Sequence, residues 1–174
     1  LTKKDMPFMR TLHSLCFRAL GLTRNDVANA EDYAALGRIL HLSFREGRTI
    51  DPEDDWVMPG EVFDDDYLRI YDRSRLRMVS LEQEFKESAD YDMSYPALLQ
   101  MVGTWENYKA ANGKLDFTDM LIKFLQIGET PRLELLIVDE AQDLTPLQWA
   151  VVRRLMETAK ETYFAGDDDQ AIHT

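Results

Sequence analysis

The hydrophobic pattern is clearest towards the C-terminal end of the chain, where residues 135–138, Leu-Leu-Ile-Val, form a continuous apolar run. Such a run is typical of a strand buried on both faces of a parallel sheet. A second short strand is predicted over residues 161–165, which are followed by Gly166. Between the two runs, residues 145–148, Thr-Pro-Leu-Gln, have the pattern of a capping box with proline at the first helical position. The pattern therefore predicts a strand-helix-strand unit with parallel strands.

The remainder of the pattern is mainly helical. Apolar residues spaced by three and four after Asn29 predict a helix to about Glu46, ended by Gly47. A second helix is predicted from Leu98 through Trp105 to the stop signal Asn112-Gly113, with Trp105 in the core, and a third begins at Asp116. A third parallel strand is predicted over residues 8–12. We therefore expect a helix-rich α/β fold with few parallel strands.

Two carboxylates, Asp139 and Glu140, follow the apolar run directly. Ligands of parallel sheets gather at the carboxyl ends of the strands, and adjacent carboxylates suit a nucleotide site. One can hold Mg²⁺, usually through its waters, while the next orients or deprotonates a water that attacks a γ-phosphate. A buried strand that ends in acidic loop residues explains these positions equally well, so the wider sequence must decide.

Composition is that of an ordinary globular domain, with 174 residues, 45% hydrophobic and 30% charged. No apolar run is long enough to cross a membrane, and the single cysteine, Cys16, fits a cytoplasmic location. The net charge of −12 is concentrated in residues 51–66, where eight of sixteen residues are acidic, which predicts a solvated loop. Any affinity for a phosphate backbone is expected from a local basic surface at Lys3, Lys4, Arg10 and Arg18.

Four short motifs resemble those of one enzyme family. Residues 139–142, Asp-Glu-Ala-Gln, match motif II of the superfamily 1 DNA helicases, and residues 166–172 resemble their motif III. Residues 11–14, Thr-Leu-His-Ser, are similar to the Thr-x-His-Ser element of UvrD, Rep and PcrA, and residues 115–121 resemble their Leu-Asp-Phe-x-Asp-Leu segment. The motifs occur in the family's order, so the chain resembles a UvrD-like helicase.

The resemblance implies a domain organisation. Residues 1–22 and 113–174 would form part of the first RecA-like ATPase domain, and residues 23–112 a helical insertion subdomain. The glycine-rich phosphate loop of P-loop ATPases does not occur in these residues. In the family it would precede Leu1, and a second RecA-like domain with an arginine finger would follow Thr174. We therefore expect the 174 residues alone not to hydrolyse ATP.

The resemblance also implies roles at the nucleotide site, with ATP and Mg²⁺ as cofactors. Asp139 would hold Mg²⁺, Glu140 would act as the general base, and Gln142 would couple the nucleotide to the DNA site. Gln170 would sense the γ-phosphate, as a neutral amide beside a charged oxygen can. Asp167 would support that loop.

For DNA, the resemblance implies translocation along single-stranded DNA, typically from 3′ to 5′, and separation of duplex at single-strand/duplex junctions. Thr11 and His13 would contact the DNA, with Phe117 near the same path, although Phe117 also fits a core-facing helical position. His173 stands where the family usually has tyrosine, so base stacking there is expected to be weakened or altered.

Two alternatives stay open. A helicase-nuclease of the RecB or AddA type has a similar motor, and a non-catalytic scaffold could retain the fold while losing catalysis. The Asp139-Glu140 pair argues against the scaffold. In the P-loop ATPases that the chain resembles, the strand that leads into the phosphate loop lies beside the strand of motif III. Because that strand is not among these residues, we also expect self-association or disorder around Tyr163, at the unpaired edge of the second strand.

Overall fold

The computed structural model of the chain describes residues 10–42, 66–89 and 93–166. These residues form seven α-helices and two β-strands. The helices are α1 Leu12–Ala19, α2 Ala30–Leu40, α3 Asp66–Leu76, α4 Leu81–Ser88, α5 Tyr95–Asn112, α6 Phe117–Ile127 and α7 Pro146–Met156. The strands are β1 Leu133–Val138 and β2 Ala159–Phe164. The acidic segment 51–65 and most of the strand predicted over residues 8–12 lie outside the described residues.

The strand-helix-strand prediction is confirmed. β1 and β2 pair in parallel, from Leu133 opposite Ala159 to Val138 opposite Phe164, and α7 connects them. β2 begins two residues earlier than predicted. The third strand, predicted over residues 8–12, was wrong for its last residues. Leu12 opens α1, because the Thr11 side chain accepts a hydrogen bond from Ser14 N and caps a helix there. Within the described residues β2 pairs with β1 alone, and self-association stays a prediction.

The expectation that β1 is buried on both faces was also wrong for the residues described. Leu136 packs against the core that contains α7, and Val138 is buried, but Leu135 and Ile137 are 47% and 64% exposed. The reason is that side chains alternate across a strand. α7 covers one face, and no described element covers the other.

Local end signals explain most helix boundaries. Asp116 caps α6 and Thr145 caps α7, each in a capping box with the residue three positions on, and Gly113 ends α5 in a left-handed conformation. α2 is shorter than predicted. It ends at Leu40 because His41 adopts the left-handed conformation that closes the helix, and Leu42 N then donates to Gly37 O.

The core consists of two clusters. The first joins α1, α6 and α7 through buried residues that include Phe17, Phe124 and Val151. The second joins α2, α3 and α5 around Trp105, which is buried as predicted and stacks on Tyr33 with ring centroids 4.7 Å apart. The first cluster also contains Val27, from the segment 23–112, and the division of the chain into two domains stays a prediction. In the parts of the chain that the structure describes, no helix is both long and apolar enough to cross a membrane.

Candidate functional site

The acidic turn, defined here as residues 139–143, begins where β1 ends. Asp139 and Glu140 are both exposed, and Asp139 Oδ1 accepts a hydrogen bond of 3.1 Å from Glu140 N. Glu140 has φ 49° and ψ 43°, in the left-handed region, and the next three residues form one turn of 3₁₀-helix. The turn therefore exposes two carboxylates at the carboxyl end of a parallel strand, and neither forms an ion pair with a described residue.

The end of β2 lies directly beside this turn. Ala165 N donates to Val138 O over 2.8 Å, and Ala141 N donates to Ala165 O over 3.0 Å. These two backbone hydrogen bonds continue the strand pairing by one step and hold the following residue, Gly166, against the acidic turn. The structure thus brings Gly166, the first residue of the segment that resembles motif III, beside the segment that resembles motif II. Asp167, Gln170 and His173, which the resemblance assigns to this loop, lie outside the described residues.

Gln142 makes the side-chain contact between the two strand ends. Its Nε2 donates a 2.6 Å hydrogen bond to Glu140 Oε2. Its Oε1 is buried, has no hydrogen-bond partner among the described residues, and faces the backbone of Gly166. A Cβ on Gly166 would lie closer than 3.0 Å to that oxygen, so only a residue without a side chain leaves the Gln142 amide where it is.

The residues assigned to DNA lie at the start of α1 and α6. The Thr11 hydroxyl is occupied in capping α1. His13 is only 8% exposed and meets the Phe117 ring edge-on, with centroids 5.6 Å apart. Burial lowers the pKa of His13 to about 4, so the ring is neutral at pH 7. In this conformation His13 and Phe117 pack against each other, and DNA contact by Thr11, His13 and Phe117 stays a prediction.

A local basic surface was expected near the N-terminal segment. Arg10 and Arg18 line one open cavity of about 440 Å³, together with Glu129 and Pro131. Lys3 and Lys4 lie outside the described residues. The two arginines are thus close in space, with an acidic residue on the same wall.

A buried polar cluster was missed by the sequence analysis. Asp116 was expected to begin a helix, and the structure shows that Asp116 and Asp119 form its capping box, but both also bind two cations. Arg75 from α3 and Lys109 from α5 donate to both carboxylates, over 2.9–3.0 Å from Arg75 and 2.5–2.7 Å from Lys109. Asp119 could have been linked to Lys109 by their closeness in sequence. No sequence signal points to Arg75, which precedes Asp116 by 41 residues.

The electrostatics of this cluster follow from its burial. Burial alone would raise the pKa of Asp116, but the charges and hydrogen bonds of Arg75 and Lys109 outweigh it and hold that pKa well below its usual range. Burial and the neighbouring Asp116 charge raise the pKa of Asp119. Glu106, Asp116 and Asp119 place carboxylate oxygens near enough to share a metal ion. The Lys109 ammonium already contacts all three, so the cluster supplies its own cation.

Comparison with known proteins agrees with the motifs. The family model described as UvrD/REP helicase N-terminal domain matches residues 2–174. A curated relative, named a probable DNA helicase II homolog, from Mycoplasma genitalium, is 26% identical over 108 residues. That alignment covers 56% of this chain and 15% of the relative, so the chain corresponds to a small part of that protein's length.

Proposed function

Because the chain belongs to the UvrD/REP helicase N-terminal domain family, we propose that the full-length protein is an ATP-dependent DNA helicase whose ATP-hydrolysis site includes the acidic turn. One observation carries this proposal above the others. The exposed pair Asp139-Glu140 stands at the carboxyl end of β1, and Gly166 at the end of the parallel strand β2 lies against the same turn. Nucleotide sites of parallel sheets form at such adjoining strand ends.

Asp139 is the residue proposed to hold Mg²⁺. Its carboxylate is exposed, and its one hydrogen bond among the described residues is from the neighbouring Glu140 N. Several lone pairs are therefore free for the waters or oxygens around a magnesium ion, which prefers carboxylate ligands. Bound Mg²⁺ would neutralise developing charge on the transferred phosphoryl group of ATP.

Glu140 is proposed as the general base. Its carboxylate is exposed, and Oε2 accepts the Gln142 amide, which leaves Oε1 to take a proton from water. We propose further that ATP hydrolysis at this site drives movement along single-stranded DNA, 3′ to 5′, and opening of single-strand/duplex junctions. Thr11, His13 and Phe117 are the proposed DNA contacts. Gln142 is proposed to couple the nucleotide to the DNA site, Gln170 to sense the γ-phosphate, and Asp167 to support the loop that carries Gln170.

The test is Glu140→Gln in the full-length protein, which keeps the shape of the side chain and removes the base. General-base catalysis contributes roughly 10²- to 10⁴-fold in rate, so DNA-stimulated ATP hydrolysis and unwinding should fall by about that factor while ATP and DNA still bind. Glu134→Gln is the matched control. Glu134 is on the same strand, exposed, and ion-paired with Lys160, so hydrolysis should be unchanged.

Asp139→Asn should behave differently, because it weakens metal anchoring rather than proton transfer. We expect loss of turnover together with a raised Mg²⁺ requirement. If Glu140→Gln hydrolysed ATP at the rate of the unmodified protein, the acidic turn would not be the hydrolysis site and the proposed function of this turn would fail.

A further inference from the structure

A carboxylate that acts as a base must be held in one orientation, and the structure shows what holds Glu140. A carboxylate only accepts hydrogen bonds, so the amide nitrogen of Gln142 must be the end that faces it, as in the 2.6 Å contact with Oε2. The amide oxygen then points the other way and lies buried against Gly166. Gln142 thus spans the gap between the proposed base and the first residue after β2.

The position of the Gln142 amide depends on space at Gly166. The nearest atoms to a Cβ built on Gly166 are Gln142 Oε1 and Cδ, at less than 3.0 Å and at 3.5 Å, followed by Ala141 N at 3.6 Å. The last two distances are ordinary contacts. Gly166 also has no left-handed backbone angle, unlike Gly21 and Gly113, so alanine fits its backbone without strain. Among the described residues, the one close approach of an added methyl group would therefore be to the amide end of Gln142.

Backbone hydrogen bonds, which do not involve the Gln142 side chain, also join the ends of β1 and β2. Ala165 bonds to Val138 and to Ala141, so Gly166 stays in place when Gln142 is altered. A shift of Gly166 itself towards the acidic turn would press on the amide that holds the Glu140 carboxylate.

We propose that Gln142 is a positioning residue that orients the Glu140 carboxylate, and that Gly166 is required because it leaves room for the Gln142 amide. This inference rests on the proposed function of Glu140 as the base. It assigns Gly166 a role in catalysis through Gln142, with no contact of its own to nucleotide or DNA.

The experiment is a double-mutant cycle in the full-length protein with Gln142→Ala, Gly166→Ala and the pair together, measured by steady-state DNA-stimulated ATP hydrolysis. Misplacing a catalytic group by about 1 Å can cost on the order of 100-fold, so each single variant should lower kcat by roughly 10- to 100-fold. KM for ATP should stay within about twofold, since orientation of the base acts on turnover and not on binding. The double variant should be no worse than Gln142→Ala, because alanine at 142 leaves space for the methyl group on 166.

Gly103→Ala is the matched control. Gly103 is exposed on α5 with nothing within 4 Å of an added Cβ, and kcat should be unchanged. Thermal unfolding midpoints of all variants separate loss of orientation from loss of folding, and Gln142→Ala provides a second route if Gly166→Ala is unstable. Additive losses in the double variant, or a rise in KM with kcat unchanged, would overturn the inference.

Failure of the inference and failure of the proposed function give different results. If Glu140→Gln leaves hydrolysis intact, the proposed function fails and the inference with it. If Glu140→Gln abolishes hydrolysis while Gln142→Ala and Gly166→Ala both turn over at the rate of the unmodified protein, only the inference is overturned.

Discussion

At the residue scale, Glu140 and His13 show how surroundings override the preferences of a side chain. A left-handed conformation costs a residue with a Cβ roughly 1–2 kcal/mol, and Glu140 adopts it at φ 49°. Two hydrogen bonds on its C-terminal side, from Ala141 N to Ala165 O and from Asp143 N to Glu140 O, hold the turn in place. Strain of this kind concentrates at functional turns, and here it lies at the proposed base.

His13 makes a prediction about pH. Burial lowers its pKa to about 4 from an ordinary value of 6.5, so between these values the unfolded chain takes up a proton that the folded chain does not. Stability therefore falls as the pH drops from 6.5 towards 4, with a slope of up to about 1.4 kcal/mol per pH unit from this residue. His13→Gln should remove that share of the slope in urea unfolding between pH 4.5 and 7. Parallel curves for the two proteins would contradict a buried neutral histidine.

At the element scale, two glycines are predicted to respond to alanine in opposite directions. A Cβ on Gly128, at the end of α6, would lie 2.6 Å from the backbone oxygen of Phe124 and closer still to its ring. Gly128→Ala should therefore destabilise the chain by about 1–3 kcal/mol, as overpacking does. Gly103→Ala, in the exposed middle of α5, should stabilise it by about 0.5–1 kcal/mol. Thermal unfolding compares the two, and equal midpoints would show that the close approach at Gly128 relaxes freely.

The signals within each element explain which helices and strands the sequence could predict. Capping boxes at Asp116 and Thr145 are complete within four residues, so both helix starts were predicted correctly. The end of α2 was missed because His41, not a glycine, takes the left-handed position. The exposure of Ile137 was missed because an apolar run does not reveal how many faces of a strand are covered. α3 and α4 were not identified individually.

At the scale of the whole molecule, the cluster of Asp116, Asp119, Arg75 and Lys109 joins three helices, of which α3 lies far from the other two in sequence. Arg75 lies on α3, Lys109 on α5, and the two carboxylates at the start of α6. The cluster therefore ties the helices around Trp105 to the segment that resembles the family's Leu-Asp-Phe-x-Asp-Leu motif, and Trp105 Nε1 itself donates to Asp116. Pairing over 41 residues depends on the assembled fold, which is why the motif was visible in the sequence and its cations were not.

The cluster predicts a large penalty for losing one cation. Lys109 is 3% exposed, and Lys109→Met would leave Asp116 and Asp119 with only Arg75 between them. Breaking a buried pair in this way typically costs about 3–5 kcal/mol, because the remaining charge stays buried without compensation. Lys86→Met is the control: Lys86 pairs with Glu82 on the surface, where solvent screens the pair, so its loss should change the free energy of unfolding far less than Lys109→Met does. Urea unfolding at pH 7 measures both.

The Lys109→Met penalty should shrink as the pH falls and the carboxylates become protonated, since a neutral carboxyl needs no cation. A penalty equal to that of Lys86→Met, or one independent of pH, would mean that the cluster does not hold α3 and α5 to α6.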